Sequence, residues 1–284
     1  MTTNDASKVK KTVLNVFKYG SLFAGGFVAL FPLVSILITA FKTNAEYNAT
    51  TVMTPPESWL YFGNFVEAWK RAHMWLAFFN STLILVCVLI GSVLFSSMLA
   101  FVLNRFRFHG NNLVRNLFLF ATLIPGVAMQ VTVYQIMYTL NLVNTLSGYI
   151  ILMLGTDVIS IYIFLQFFEN LPKSLDESAI IDGCTYFGVY FKILLPLLQP
   201  AIITVMILKG VGTYNEYYMA NLYLQDKNRL QVVATSLYTF TGPLGNQYNY
   251  ICAGVIITII PALIIFITCQ KQIYAGLANG AVKG

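Results

Sequence analysis

Hydrophobic positions in this chain fall in long unbroken runs. They show neither the alternation of strands nor the one-sided stripes of surface helices. A helix needs about 20 apolar residues to cross a bilayer core. The first such run covers about residues 19–41 and the second about 75–103. Residues 116–156 carry no charged side chain. That is too long for one crossing, and the polar stretch Asn141-Leu-Val-Asn144-Thr-Leu-Ser-Gly148 divides it. A third span of about 115–139 and a fourth of about 149–168 follow. A fifth is expected at about 193–213 and a sixth at about 250–270. The pattern predicts an all-α integral membrane protein with six transmembrane helices, since a closed barrel needs short alternating strands.

Composition supports this frame. The 284 residues are 57% hydrophobic and 10% charged, where soluble domains carry about 25% charged residues. The formal charge of +6 reads as topology. With the N-terminus inside, Lys8, Lys10, Lys11, Lys18, Arg105, Arg107, Arg115, Lys173, Lys192, Lys271 and Lys283 face the cytoplasm, eleven of the seventeen basic residues. This excess predicts both termini inside. Residues 1–18 are then a cytoplasmic N-terminal segment, 19–270 the transmembrane domain and 271–284 a cytoplasmic tail. The uncharged run Tyr19–Phe41 exceeds the roughly 7–15-residue core of a cleaved signal and is read as a retained span. Trp59, Trp69 and Trp75 fit an interfacial aromatic belt. The basic residues are scattered, without interleaved stacking aromatics, which makes nucleic acid a poor partner. Cys87, Cys184, Cys252 and Cys269 form no CxxC pair and no metal-ligand spacing.

The polar segment of about 171–192, between the fourth and fifth spans, holds the most information. Ser174-Leu175-Asp176-Glu177 reads as a capping box that starts a helix at Ser174. Asp176 and Glu177 suit its positive end. Asp182-Gly183 ends it through a left-handed cap, and a second helical stretch from Tyr186 to about Leu194 leads to Pro196. Composition alone leaves open a generic amphipathic connector at the membrane surface. Within the spans, Ser92, Ser96 and Ala100 form a small-xxx-small face suited to close packing. Pro32, Pro125, Pro196, Pro200 and Pro261 predict kinks. Gln130, Gln135, Lys209, Asn215 and Glu216 are polar groups in apolar surroundings, with Tyr134, Tyr214, Tyr217 and Tyr218 nearby in sequence. Such groups mark candidate transport paths. Alternatively Lys209 and Glu216 pair with each other or snorkel to the interface.

The spacing Glu177-x-Ala179-x3-Gly183-x9-Ile193-x-Leu195-Pro196 resembles the "EAA" loop of permease subunits from binding-protein-dependent ABC importers. Ser178 stands in place of the first of two alanines. Further resemblances are Phe79-Asn80-Ser81, the stretch Leu99 to Gly110 containing Arg105, Ile124-Pro125, Tyr214 to Tyr217, and the ending Gly276 to Gly284. That ending is similar to the carbohydrate-importing branch, in the subunit that resembles the second permease of maltose importers.

The resemblance implies a permease bundle with a cytoplasmic coupling helix between helices 4 and 5, located in a bacterial-type inner membrane. Its implied partners are a second permease subunit, two cytoplasmic ATPases and an extracellular or periplasmic solute-binding protein. ATP and Mg belong to the ATPases, because this chain carries no G-x-x-x-x-G-K-[ST] loop and no cofactor of its own is implied. Ser174, Glu177, Ser178, Ala179, Asp182, Gly183, Ile193, Leu195 and Pro196 are the implied ATPase-coupling residues, and a cysteine at Ala179 is expected to crosslink to the ATPase. Gly280 and Lys283 are expected to make a second contact through the tail. Gln130, Tyr134, Asn215 and Glu216 are the candidate translocation-path residues for a carbohydrate, expected to be an oligosaccharide. The alternatives are the same machine carrying a non-sugar solute, or an ion-coupled secondary transporter, which calls for inverted repeats and intramembrane carboxylates. An intramembrane enzyme lacks support: there is no HExxH, and His73 and His109 sit at loop positions.

Overall fold

The structure, a computed structural model, describes residues 3–281 except 156 and 243–245, with side chains over 13–271. The helices are α1 (Thr3–Ala40), α2 (Asn44–Ala49), α3 (Gly63–Arg71), α4 (Met74–Arg105), α5 (Asn111–Thr122), α6 (Gln130–Thr139), α7 (Leu146–Leu154) and α8 (Val158–Glu169). They continue as α9 (Ser174–Ile181), α10 (Tyr186–Gly188), α11 (Leu195–Leu197), α12 (Gln199–Asn215), α13 (Tyr218–Tyr223), α14 (Lys227–Leu230), α15 (Val233–Ser236) and α16 (Tyr248–Ala281). A π-helical segment, Val189–Leu194, joins α10 to α11. There is no strand among the described residues.

Three stretches are long and apolar enough to cross a membrane: Val13–Ala40, Met74–Arg105 and Tyr248–Lys271. Three bent pairs raise the number to six if each counts as one span. The sequence predicts kinks at the prolines of these spans, and two of the three divisions fall at such prolines. The expected third span divides into α5 and a helical continuation from Gly126, 92° apart. Pro125 sits at the joint, and the residue before a proline is pushed out of helical geometry. The fourth divides into α7 and α8. The fifth begins at Gln199, not Ile193, because Tyr186–Leu197 forms a separate arm bent 74° from α12. Pro196 and Pro200 each lack the amide that would extend the ladder through this corner.

The chain divides into two compact units, Met1–Ala72 with Leu237–Pro261 and His73–Ser236 with Ala262–Gly284. In the first, Asn64 Nδ2 donates to the carbonyls of Ala40 (2.8 Å) and Lys42 (2.7 Å), closing the turn after α1. Lys42 is fully buried, and its ammonium donates to Thr50 Oγ1 and the Thr51 carbonyl at 2.9 and 2.6 Å. Burial at this depth is tolerated because the group is hydrogen-bonded. A complete capping box forms here, between Thr43 and Glu46.

In the second unit α4 is the hub, packed on α7, α8 and α12. Its buried stripe recurs every fourth residue: Asn80, Ile84, Val88, Ser92, Ser96 and Ala100. Short side chains at Ser92, Ser96 and Ala100 let the neighbouring backbones approach, as expected. Gly148, at the start of α7, faces the Leu142 carbonyl so closely that any Cβ would collide with it. One core gathers Phe101, Phe164, Phe168, Tyr190, Leu194 and Leu198. Another gathers Ile84, Val88, Tyr149, Tyr223 and Leu224. Meanwhile Phe17, Phe23 and Phe27 of α1 and Ile264 and Ile267 of α16 are mostly exposed. Contiguous apolar exposure on this scale is stable in lipid, not in water.

Candidate functional site

The EAA-like segment folds as an elbow on the α4–α8 core. Its helix, α9, begins at Ser174 as expected, but Ser174 does not cap it. Lys173 takes the cap position with helical backbone angles and no side-chain cap bond forms. The Glu177 amide bonds the Lys173 carbonyl at 3.1 Å, so the expected Ser174 capping box is replaced by backbone pairing that reaches back to Pro172. The far end meets expectation. Gly183 has φ +85°, its amide bonds the Ile180 carbonyl at 3.0 Å, and the Cys184 amide bonds the Ala179 carbonyl at 2.9 Å. These two bonds define a Schellman cap, which needs the left-handed residue that glycine supplies. Thr185 then caps the arm, accepting from the Gly188 amide at 3.2 Å.

Burial sorts the segment into two faces. Glu177, Ser178, Asp182, Gly183 and Pro196 are exposed, and Ser174 with them. Ile181 is 85% exposed, and Tyr186 and Phe187 are also largely open. Ile193 and Leu195 are half-buried against the core. Ala179 is 5% exposed and packs into this chain's own core. Three residues from Asp176 in an eight-residue helix, it shares the inward stripe. Within this chain it helps hold the elbow against the core.

Two tethers that sequence reasoning missed fix the elbow. Arg105, in the last turn of α4, places Nε 2.6 Å from Asp176 Oδ2, with side chains 6% and 14% exposed. Its other nitrogens donate to the carbonyls of Leu171 (3.1 Å) and, at the long limit of 3.5 Å, Phe168. The guanidinium lies over the Phe168 ring. Burial raises the Asp176 carboxyl above its ordinary range, with Arg105 opposing. The second tether is Tyr190, whose hydroxyl lies 2.6 Å from Ser97 Oγ and whose ring packs on Phe101. The residues of these pairs are 71 and 93 apart in sequence, and no local motif joins them.

The four path candidates separate. Gln130 and Tyr134 come together through α13: Tyr223 donates to Gln130 Oε1 at 3.4 Å, and the amide of Gln225 donates to Tyr134 at 3.1 Å. Glu216 lies elsewhere, in a small cleft shared with Ser81, Tyr149 and Thr213, and accepts from the Met219 amide at 2.9 Å. Asn215 is exposed and bonds the Val211 carbonyl of its own helix. Lys209 does not pair with Glu216. Its ammonium lies 3.5 Å from Asp157, which also caps α8 by accepting from the Ser160 amide and hydroxyl. Seven residues along a helix put Lys209 and Glu216 nearly two turns apart, and α12 ends at Asn215, whereas Asp157 on the neighbouring span is within reach. Lys283 lies outside the described residues, and Gly280 falls in the last turns of α16.

An apolar helical bundle that exposes its greasy side chains and pins one polar elbow against its hub helix is an integral membrane protein. The chain belongs to the family of binding-protein-dependent transport system inner membrane components, whose model matches residues 92–275. It is 35% identical to the arabinooligosaccharides transport system permease protein AraQ of Halalkalibacterium halodurans, over 91% of this chain and 92% of that protein. It is 29% identical to the melibiose/raffinose/stachyose import permease protein MelC of Bacillus subtilis, over 89% and 91% of the two chains. Its fold matches a chain from the crystal structure of a bacterial ABC transporter involved in the import of the acidic polysaccharide alginate. That match has a TM-score of 0.82 at 19% identity and covers 92% of this chain and 97% of the other.

Proposed function

We propose that this chain is one permease half of an ATP-driven importer that carries an oligosaccharide across the cytoplasmic membrane. The observation that carries the reading is its likeness, over nine-tenths of its length, to permeases named for arabino-oligosaccharides and for the raffinose series. In this reading the six spans leave both termini and the α9 elbow inside, and α9 docks on a separate ATPase. Closure of the ATPase pair moves the elbow, and the bundle shifts between inward- and outward-open states. Such a shift requires the motor to interact differently with the two states. The exposed row Glu177, Ser178, Ile181, Asp182 and Phe187 forms the contact. Ser174, Gly183, Ile193, Leu195 and Pro196 shape the elbow, and the tail around Gly280 and Lys283 adds a second contact. A second permease completes the path, and an external solute-binding protein delivers the sugar. Gln130, Tyr134, Asn215 and Glu216 offer polar groups along this half of the path.

The test has two parts. Membranes carrying a tagged copy are solubilised, and the copurifying chains are identified. The intact complex in vesicles is then assayed for ATP-dependent uptake of labelled arabinotriose, raffinose and maltotriose. Recovery of an ATPase and a second permease, with accumulation of at least one of these sugars, is expected. Recovery of no nucleotide-hydrolysing chain overturns the proposal.

A further inference from the structure

We infer that the Arg105–Asp176 ion pair is the strut that carries motion of the elbow into the membrane bundle, and that both are positioning residues for coupled transport. The inference rests on the docking role proposed for α9 and adds the path by which force leaves it.

Geometry carries the argument. Neither side chain is placed to touch a partner, at 6% and 14% exposure, so their role lies inside this chain. Arg105 is the point where three elements meet. It ends α4, pairs with Asp176 in the first turn of α9, and donates to the carbonyls of Phe168 and Leu171 that close α8. The guanidinium is a planar fork whose nitrogens reach all three at once; a lysine ammonium is a point charge without that fixed fan. α4 in turn packs along α7, α8 and α12. Displacement of α9 therefore reaches the hub helix through a contact of 2.6 Å. The other contacts under α9, centred on Ala179, are apolar and short-reaching, and allow a separation that two opposite charges 2.6 Å apart in a buried setting resist. A buried ion pair is a poor stabiliser compared with apolar packing. Its presence beneath a docking surface is accounted for by the grip it gives α4 on α9.

The experiment uses the copurified complex in nanodiscs. Ser178→Cys reports docking through a crosslink to the ATPase, and Tyr134→Cys reports the bundle through its maleimide labelling rate with and without ATP and vanadate. Asp176→Asn keeps the shape of the side chain and removes its charge. It strands the buried Arg105 and so lowers the complex's melting temperature by a few degrees, but it is expected to leave the crosslink unchanged, while the nucleotide-dependent change in labelling falls about tenfold, within the usual range of coupling between sites. Asp176→Glu is expected to restore most of that change, which a purely structural role does not predict. Arg105→Lys gives an intermediate loss. A full labelling response in Asp176→Asn overturns the inference, as does loss of the crosslink in that variant, which makes the pair a docking element. Wild-type complex that recovers no ATPase fails at the earlier step and takes the functional proposal down with it.

Discussion

Lys209 on α12 and Asp157 at the cap of α8 form an ion pair, and its removal makes a quantitative prediction. The charges are 3.5 Å apart, with side chains 20% and 12% exposed. At an effective dielectric of about 20 their attraction is about 5 kcal/mol, and part of that offsets the hydration both groups have lost. Lys209→Met leaves the carboxylate with only the Ser160 amide and hydroxyl. Breaking one side of such a pair costs about 3 kcal/mol, which lowers the melting temperature by roughly 5–10 °C. Asp157→Asn keeps a side-chain oxygen to cap α8 but strands the lysine, at a similar cost. The double substitution removes both charges, and the expected loss is under about 1 kcal/mol. The two single losses exceed the double by at least about 5 kcal/mol, a coupling energy close to the attraction itself. Thermal melts of the four detergent-solubilised proteins, followed by fluorescence-detected size exclusion, measure it. If the single effects add to within about 0.5 kcal/mol, the pair contributes no specific attraction and the reasoning fails.

Other predictions concern the elbow. Cysteines at Ser178 and Ile181 are expected to react with a membrane-permeant maleimide and to crosslink to the ATPase, whereas one at Ala179 stays protected; equal labelling at all three sites refutes the assigned faces. Gly183→Ala places a Cβ at φ +85°, costs about 1 kcal/mol and loosens the Schellman cap, so sugar uptake per ATP hydrolysed is expected to fall while the chain still inserts. Ala179→Leu overfills a closed pocket at about 1–3 kcal/mol, and the elbow is expected to become protease-sensitive under limited trypsin digestion. Because burial raises the Asp176 carboxyl, the folded chain holds this proton more tightly than the unfolded one. Its contribution to stability is full below the ordinary carboxylate range and is lost as pH rises through the raised value. Asp176→Asn is therefore expected to gain stability relative to wild type over that rise, read as the difference between their melting temperatures across pH 4–7; a constant difference refutes it.

What the sequence makes legible here is what short-range physics controls. Uncharged runs mark the spans because lipid excludes charge, and Gly183 marks the end of α9 because glycine alone is at ease there. The helix breaks are half visible: Pro125, Pro196 and Pro200 stand out as residues, yet whether a proline kinks a helix or divides it depends on packing that the sequence does not display. The start of α9 shows the same limit, since backbone pairing to Lys173 outcompetes the capping box that Ser174 and Glu177 spell. Contacts between distant elements are the least visible. Nothing near Arg105 names Asp176, and nothing near Lys209 chooses Asp157 over Glu216. Ala179 illustrates the consequence: a motif gave its importance, and only burial showed which way it faces.

The π-helical turn at Val189–Leu194 carries a consequence for evolution and for engineering. A stretch wound this way holds one residue more than an α-helix needs over the same rise. Deleting a single residue there is expected to let the arm rewind as ordinary helix, and everything before it then swivels by about 100° around the arm's axis. The elbow's outward face points in a new direction without any change to its own residues. Families built on this frame thus have a one-codon route to re-aiming the segment, and a one-codon way to lose their engine.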